Sequence, residues 1–484
     1  MPLPPKDGAY SSDFGTTILA FQKLFQQFTV FRDPMACTNV VYLVGLGGMG
    51  MTPLALYLQK RGFRVYGWDD GELKPETKEW FKHTVTVTPK IPEDCGSMVY
   101  SSAIAEEHPL RREALERLLP SFQRGTFLAQ VLGDRKVIGV VGSHGKTTTT
   151  AWIIHFLKSQ SRPFDYLLGG FFCREYWPAD HHPDSTWAIL EIDESDGTLL
   201  QFSPEYTVVL NDDWDHPTHY PTAQKYTDTL KALCRQTHTG IVLSSTLPWE
   251  KEIKKPCLTF GPKGNFSARR KGTLWHLKGP STSMDYDVPP IFFPNNLLAA
   301  VATTVTLTGQ WPTSEDLLTF PGVKRRQEIL FQTPFLSVVT DYAHHPTELQ
   351  TYLSFARKRR RGKHWAVFEP HRYSRTRTFL KDFIAPLNLP DKTMLLPIYG
   401  ASEPNENALT SENIARHLSH HEPIDFLQIP HFIQRLSAEK VPLTLHLLGA
   451  GNIEKWGQSW LKDLREGWYS RLQKIVKRCQ RNRE

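Results

Sequence analysis

Cysteine is scarce in this chain. The six residues (Cys37, Cys95, Cys173, Cys234, Cys257 and Cys479) lie far apart, with no Cys-x-x-Cys pair among them. That excludes a disulfide scaffold and a structural zinc motif, and it fits a reducing cytoplasm. HExxH and comparable zinc spacings are also missing. No apolar run approaches the roughly 18 residues that span a bilayer. The opening MPLPPKDGAYSSDF has neither the basic start nor the apolar stretch of a signal peptide, so no stable membrane insertion is expected. There is no internal repeat of solenoid length. A chain-wide excess of one charge is lacking too. The formal net charge is +7, but residues 357–363 (RKRRRGK) carry +6 and residues 462–484 carry +5, which leaves −4 for everything else. The first basic run completes a helix whose negative end it complements. The second carries Trp468, Leu472, Ile475, Val476 and Cys479 on one face and is expected to dock on the protein's own surface. No nucleic-acid partner is expected from either.

What the chain does have is ordinary globular composition, 40% hydrophobic and 22% charged in 484 residues, and a length that suggests about three domains. Residues 1–38 form an N-terminal extension with a short helical stretch near Ile18–Phe28. From Val40 the pattern sharpens. Val40–Val44 is a buried-strand run; glycines follow, then Thr52-Pro53, which reads as a helix N-cap with proline at the first helical position. The helix runs to about Arg61 and is followed by a strand over Phe63–Trp68. A second strand–glycine–helix unit opens at Val137–Val141. Further strands are expected at Trp187–Ile192, Tyr206–Leu210, Leu336–Thr340, Trp365–Phe368, Thr393–Pro397 and Leu443–Leu448. A helix is expected over Asn296–Leu307, and residues 262–290 read as a hairpin-rich excursion. Strands alternating with helices predict an α/β protein with parallel sheets.

Two glycine loops carry the chemistry. Gly45-Leu46-Gly47-Gly48-Met49-Gly50 satisfies G-x-G-x-x-G between a strand and a helix, where bare backbone and outward N–H groups receive a pyrophosphate. Asp69 ends the next strand, placed for a ribose hydroxyl. This loop alone fits NAD, FAD or a UDP-sugar equally well. Gly142-Ser143-His144-Gly145-Lys146-Thr147-Thr148 follows a buried strand and opens a helix. Its backbone N–H groups suit the β-phosphate, Lys146 the β/γ-phosphates and the Thr147 hydroxyl Mg²⁺. Gly139 lies six residues before Gly145, where a Walker A loop has five. A dehydrogenase needs the first loop and not the second; a simple ATPase needs the second and not the first. A two-substrate ligase needs both.

Ten motifs, in order, resemble the Mur ligases of peptidoglycan synthesis: GLGGMGM (45–51), SSAI (101–104), GSHGKTTTT (142–150), EIDESD (191–196), NDDWDH (211–216), FPGVKRRQ (320–327), DYAHHPTE (341–348), EPHRYSRTR (369–377), YGASEP (399–404) and GAGNI (449–453). The departures are modest. Ser143 stands for a threonine, Thr52-Pro53 for Ser-Gly, Gln327 for an aromatic and Asn452 for an aspartate, and a His-Asn pair before Asn296 is missing. The resemblance implies three domains. These are a Rossmann-like UDP-substrate domain over residues 39–134, a central P-loop ATPase-type domain over 135–322 and a Rossmann-like C-terminal domain over 323–484. It also implies a bacterial cytoplasmic enzyme that uses ATP and Mg²⁺, with Mn²⁺ as an alternative. The PHRYSRTR acceptor pattern points to the branch that joins L-alanine to UDP-N-acetylmuramate. The alternatives are a recycling ligase for a whole tripeptide and, in another class, a nicotinamide oxidoreductase.

Carried over residue by residue, the resemblance places Gly45, Gly47, Gly48, Gly50, Met51, Asp69, Ser101 and Ser102 at the UDP-sugar. Gly142 to Thr148, with Asn296, Arg325 and Asp341, fall at ATP, and Thr147, Glu191 and His216 at the metal. His344, His371, Arg372 and Arg375 fall on the acceptor side, where a bidentate guanidinium suits an amino-acid carboxylate. Lys146, His344, Arg372 and Arg375 are the expected catalytic set. Glu191 and His216 are expected at one carboxyl edge on neighbouring strands. Asp196 reads as part of a solvated acidic turn, and Asn211 and Asp215 read as loop caps.

Overall fold

A computed structural model describes residues 38–217, 219–271, 274–287, 294–359, 362–401, 403–405, 408–420, 442–454, 457 and 461–462. The expected N-terminal helix and the basic face beyond residue 462 lie outside the described residues. The chain divides into two compact units, residues 1–134 and 135–484.

The first unit is built on five parallel strands: β1 (Val40–Val44), β2 (Arg64–Trp68), β3 (Val85–Val87), β4 (Ser97–Tyr100) and β5 (Ser121–Gln123), in the order β3-β2-β1-β4-β5. β1 is buried along its whole length, as a parallel strand covered on both faces must be. The strand order reverses between β1 and β4, and in open α/β sheets the crevice at such a reversal receives ligands. The helix after β1 runs from Met51 to Lys60 with Gly50 as its cap. Thr52 is therefore inside the helix rather than its cap, and its hydroxyl turns back to the Leu46 carbonyl.

The second unit carries three sheets. The largest contains β6 (Lys136–Val141), β7 (Asp165–Leu167), β8 (Ala179–Asp180), β9 (Trp187–Glu191), β10 (Tyr206–Val209), β11 (Gly240–Ser244) and β12 (Cys257–Phe260), ordered β12-β11-β10-β6-β9-β7-β8. All pairs are parallel except β7–β8. The Lys146–Ser159 helix packs beside the Pro294–Thr308 helix over this sheet, around Ile153, Phe156, Leu298 and Val301. β13 (Ser267–Lys271), β14 (Leu274–Lys278) and β15 (Ser283–Tyr286) form the antiparallel excursion.

The last sheet joins β16 (Glu328–Gln332), β17 (Leu336–Asp341), β18 (Lys363–Phe368), β19 (Lys392–Leu395) and β20 (Leu443–Leu448), ordered β16-β17-β20-β18-β19. β16 is antiparallel to β17, with a bulge between Ile329 and Phe331. The other pairs are parallel. Among the described residues no helix is long and apolar enough to cross a membrane.

Candidate active site

The central site forms where β9, β6 and β10 end side by side. The expectation that Glu191 and His216 follow neighbouring strands needs correction, because β6 lies between β9 and β10. That insertion puts the phosphate loop between the two. Gly142 (φ +124°) and Gly145 (φ +83°) take backbone conformations that favour glycine. A Cβ at Gly145 would come within 2.5 Å of Asn296 Oδ1. Asn211, just past β10, clamps the loop: its Oδ1 accepts from His144 N (3.0 Å) and its Nδ2 donates to His144 O (2.9 Å). The Ser143 hydroxyl turns inward to the Asp213 carbonyl and the Tyr226 hydroxyl.

Lys146 Nζ donates to Gly142 O at 2.7 Å and to both Glu194 oxygens at 2.8 and 2.7 Å. Burial opposes the ammonium, but Glu194 and Asp193 outweigh it and hold the Lys146 pKa above its ordinary value. Thr147 Oγ1 donates to Glu191 Oε2 at 2.9 Å, and Gly169 N donates to the other Glu191 oxygen. Burial raises the Glu191 carboxyl against the pull of Lys146. His216 Nε2 lies 3.7 Å from Glu194 Oε1. Burial pushes its imidazole down to about 4, so it is neutral at neutral pH.

Among the described residues, no group of three or more His, Cys, Asp or Glu side chains forms a metal site on its own. The Thr147–Glu191 oxygen pair still suits Mg²⁺, which takes one or two protein ligands together with phosphate oxygens and water.

Beside the loop lies a cavity of about 860 Å³, lined among others by His144, Thr148, Asn211, Asn296, Arg326 and Asp341. On its apolar side Trp152 stacks on Phe320, with centroids 3.6 Å apart. Asp341 ends β17, and its oxygens accept from Ala343 N and Gln327 N at 2.9 Å each. Burial pushes its carboxyl up to about 6. Arg325 departs from expectation. It has a positive φ, and its guanidinium points to the Gly449 and Ala450 carbonyls and Glu454. Arg326 lines the cavity in its place and lies 3.6 Å from Glu348.

Glu348 ties the loop to the C-terminal region. It accepts from His344 N (3.0 Å) and His345 N (3.2 Å), with His144 Nδ1 at 3.4 Å and His344 Nδ1 at 3.2 Å. Burial would raise its carboxyl, but His344 and His144 hold it well below the usual range. His371 stacks on Tyr399 and meets the His344 ring edge-on. Burial and the cations around His371 push it down to about 2. Arg372 is half-exposed and lies 3.3 Å from Glu403. Arg375 is buried and makes a two-pronged pair with Asp215, with contacts of 3.0 to 3.2 Å. Burial would raise Asp215, but Arg375 and His216 hold it far below the usual carboxylate range.

In the first unit, the glycine loop lies between β1 and its helix as expected, and the structure adds that this is where the strand order reverses. Gly45 has φ +84°, and a Cβ there would meet Ser101 Cβ at 3.0 Å. Gly48 N bonds back to Gly45 O, and a Cβ on Gly50 would strike the Arg124 guanidinium. Asp69 grips the loop itself, accepting from Gly47 N and Gly71 N at 2.8 Å each. Met51 is 1% exposed, so its side chain belongs to the core and offers a ligand nothing. Ser101 accepts from Ala103 N, and Ser102 is exposed next to it.

The acidic turn is not solvated, since Glu194 and Asp196 are both buried. Asp196 bonds to the amide and hydroxyl of Thr198. Sequence reasoning missed Glu348 and Glu403 and took Asp215 for a loop cap; it left Glu194 open between the site and a solvated turn, and it paired Arg326 with Arg325 as reaching towards phosphates. Only Glu348 left a local signal, four residues after His344 at the start of a helix.

Two family models match the chain: the Mur ligase family catalytic domain over residues 40–136, and the Mur ligase glutamate ligase domain over residues 325–441. A UDP-N-acetylmuramate–L-alanine ligase of Carboxydothermus hydrogenoformans is 30% identical over 465 residues, covering 90% of this chain and 98% of that protein. The enzyme of the same name from Saccharopolyspora erythraea is 31% identical over 412 residues, covering 79% and 84%. Among solved structures, UDP-N-acetylmuramate–alanine ligase of Thermotoga maritima aligns with TM-score 0.72 at 23% identity, over 88% of this chain and 99% of that one. A murein peptide ligase of Psychrobacter arcticus aligns with TM-score 0.64 at 20% identity, over 87% and 98%. At those identities the two structures speak for the fold alone.

Proposed function

We propose, from the premise that the chain belongs to the Mur ligase family, that it joins L-alanine to the lactyl carboxylate of UDP-N-acetylmuramate, splitting ATP to ADP and phosphate in peptidoglycan precursor synthesis. The observation that carries the reading is the loop in which Lys146, kept charged by Glu194, stands beside the Thr147–Glu191 pair. A nicotinamide oxidoreductase has no use for that arrangement. The choice of alanine rests on the relatives named above and on His371 to Arg377. A bacterial cytoplasmic location follows from this reading.

A carboxylate oxygen is a poor leaving group, so the carboxylate needs activation. In our reading it attacks the γ-phosphorus of ATP, ADP leaves, and an acyl phosphate forms. The alanine nitrogen then attacks the acyl carbon, the bond to phosphate breaks, and inorganic phosphate departs. Such a transfer is mostly positioning and charge neutralisation. Lys146 and the backbone N–H groups of residues 142–148 meet the β- and γ-phosphates. Until then Glu194 keeps the ammonium charged and in place. Mg²⁺, or Mn²⁺, would be held by Thr147, Glu191 and His216 and would supply positive charge to the phosphate oxygens. Asn296 and Asp341 face the nucleoside, and Arg326 takes the phosphate role expected of Arg325.

On the acceptor side His344 Nδ1 bonds to the Tyr342 carbonyl at 2.9 Å. With Nδ1 engaged there as donor, Nε2 is the ring nitrogen left to face the acceptor, and in our reading it takes the proton released from the alanine ammonium. Arg372 receives the alanine carboxylate. The loop from Gly45 to Gly50, with Ser101 and Ser102, receives the UDP-sugar.

Mass spectrometry of the products from UDP-N-acetylmuramate, ATP, Mg²⁺ and a mixture of amino acids and murein tripeptide tests the reading. The alanine adduct is expected. Preferential tripeptide incorporation would reassign the chain to the recycling branch.

A further inference from the structure

All three guanidinium nitrogens of Arg375 are engaged within the protein. Nε donates to Asp215 Oδ1 at 3.2 Å, and Nη2 donates to Asp215 Oδ1 and Oδ2 at 3.1 and 3.0 Å. Nη1 reaches His371 Nδ1 at 3.2 Å and His371 O at 3.4 Å. The Arg375 side chain is 3% exposed and that of Asp215 is 5%. Arg372 differs in each respect. It is 38% exposed and, among the described residues, contacts one carboxylate through one nitrogen.

Asp215 also acts on the other side. Its Oδ1 accepts from the backbone N–H of His216, whose φ of +58° lies in the left-handed region. His219 N and Tyr220 N then bond to His216 O at 3.0 Å each, closing the turn. Trp214 packs edge-on against Phe379, one residue beyond the acceptor helix, and its Nε1 bonds to Tyr220 O. One carboxylate thus holds the guanidinium of the acceptor wall and, at the same time, the strained backbone that presents His216.

We propose that Arg375 is a positioning residue and not the ligand of the acceptor's carboxylate. Through Asp215 it clasps the loop carrying His216 to the acceptor wall, and the carboxylate falls to Arg372. The inference rests on the ligase reading for its substrate and on the described contacts for its geometry.

The test uses steady-state kinetics on the full chain with alanine and with alaninamide, which has the amine but no carboxylate. Arg375→Lys and Asp215→Asn should each lower kcat about tenfold or more, with KM for alanine changed less than about twofold. The double variant should be no worse than the poorer single variant, because both changes open one clasp. Both variants should keep the wild-type preference for alanine over alaninamide and need more Mg²⁺ for half-maximal rate. Arg372→Gln should lose that preference. Loss of the preference in Arg375→Lys, with Asp215→Asn retaining it, would overturn the proposal.

Hydrogen–deuterium exchange on the wild type gives a second readout that needs no variant to fold. With a non-hydrolysable ATP analogue bound, saturating alanine should leave protection of residues 213–220 unchanged or higher. Faster exchange there would mean that alanine displaces Asp215 from Arg375, which also overturns the proposal. A wild type that turns over no alanine would sink the ligase reading instead. The clasp itself would then still be read from whether the two substitutions are non-additive in thermal melts.

Discussion

Lys146 and Glu194 form a pair in which one partner serves phosphate and the other waits on it. Removing the lysine alone strands a buried carboxylate, which costs about 3–5 kcal/mol. Lys146→Ala should therefore lose both turnover, by about 100-fold or more, and stability. The double variant Lys146→Ala/Glu194→Gln should regain much of the stability and none of the turnover. Thermal melts beside an ATP-hydrolysis assay separate the two effects, and a double variant as unstable as the single one would show that the stranded carboxylate is not what destabilises Lys146→Ala. Met51 is the opposite case. Its side chain is buried in the first turn of its helix, so Met51→Leu should cost less than about 1.5 kcal/mol and leave KM for the UDP-sugar unaltered. Local motif spacing made Lys146 and Thr147 legible, because loop, lysine and hydroxyl follow one another. Glu194 was left open, since an acidic turn after a strand ordinarily faces water. Asp215 and Arg375 lie 160 residues apart, and nothing in either segment names the other.

The loop between β6 and its helix is shaped by backbone rather than by side chains. Gly145 combines a left-handed φ with Asn296 pressed against its α-carbon. Gly145→Ala should weaken ADP binding, measured by titration calorimetry, with the fold retained. The loss has two sources, the clash with Asn296 and a backbone cost of about 1 kcal/mol for the left-handed φ. An undiminished ADP affinity in the variant would remove the loop from the nucleotide site. Elements of this kind were the easiest to read. Strands buried on both faces are rich in apolar residues, so β1, β6, β10 and β20 were found within a residue or so of their ends, although β11, equally buried, was not. Short or half-buried strands escaped: β7 has three residues, β8 has two, and β16 alternates across a bulge. The helix start at Met51 was misplaced because Thr52-Pro53 imitates a cap while the Thr52 hydroxyl turns back to Leu46.

At the scale of the whole molecule, buried histidines set part of the acid response. His345 is 4% exposed, lies edge-on to Phe379, and is pushed by burial down to about 3. The unfolded chain protonates this ring near 6.5, while the fold resists until about 3. Its contribution to stability is therefore complete above pH 6.5 and is lost as pH falls towards 3. Between pH 7 and pH 5 the wild type should lose about 2 kcal/mol relative to His345→Gln, read from urea melts of both at each pH. A pH-independent difference would mean that the ring is not held neutral. The order of strands was not legible at all, since period and composition say what a strand is and not what lies beside it.

That order bears on how the chain is made. β20, buried at all six positions, lies between β17 and β18, although about a hundred residues separate it from β17 along the chain. A nascent chain emerging from the ribosome must therefore carry β17 and β18 for some time without the strand that unites them, each with an open, apolar edge. Chains halted before Leu443 should fold their first unit, residues 1–134, yet stay protease-sensitive beyond residue 328, and limited proteolysis of stalled or truncated chains would show it. In that sense the last sheet is completed from its middle, and the burden on chaperones should peak just before its final strand is synthesised.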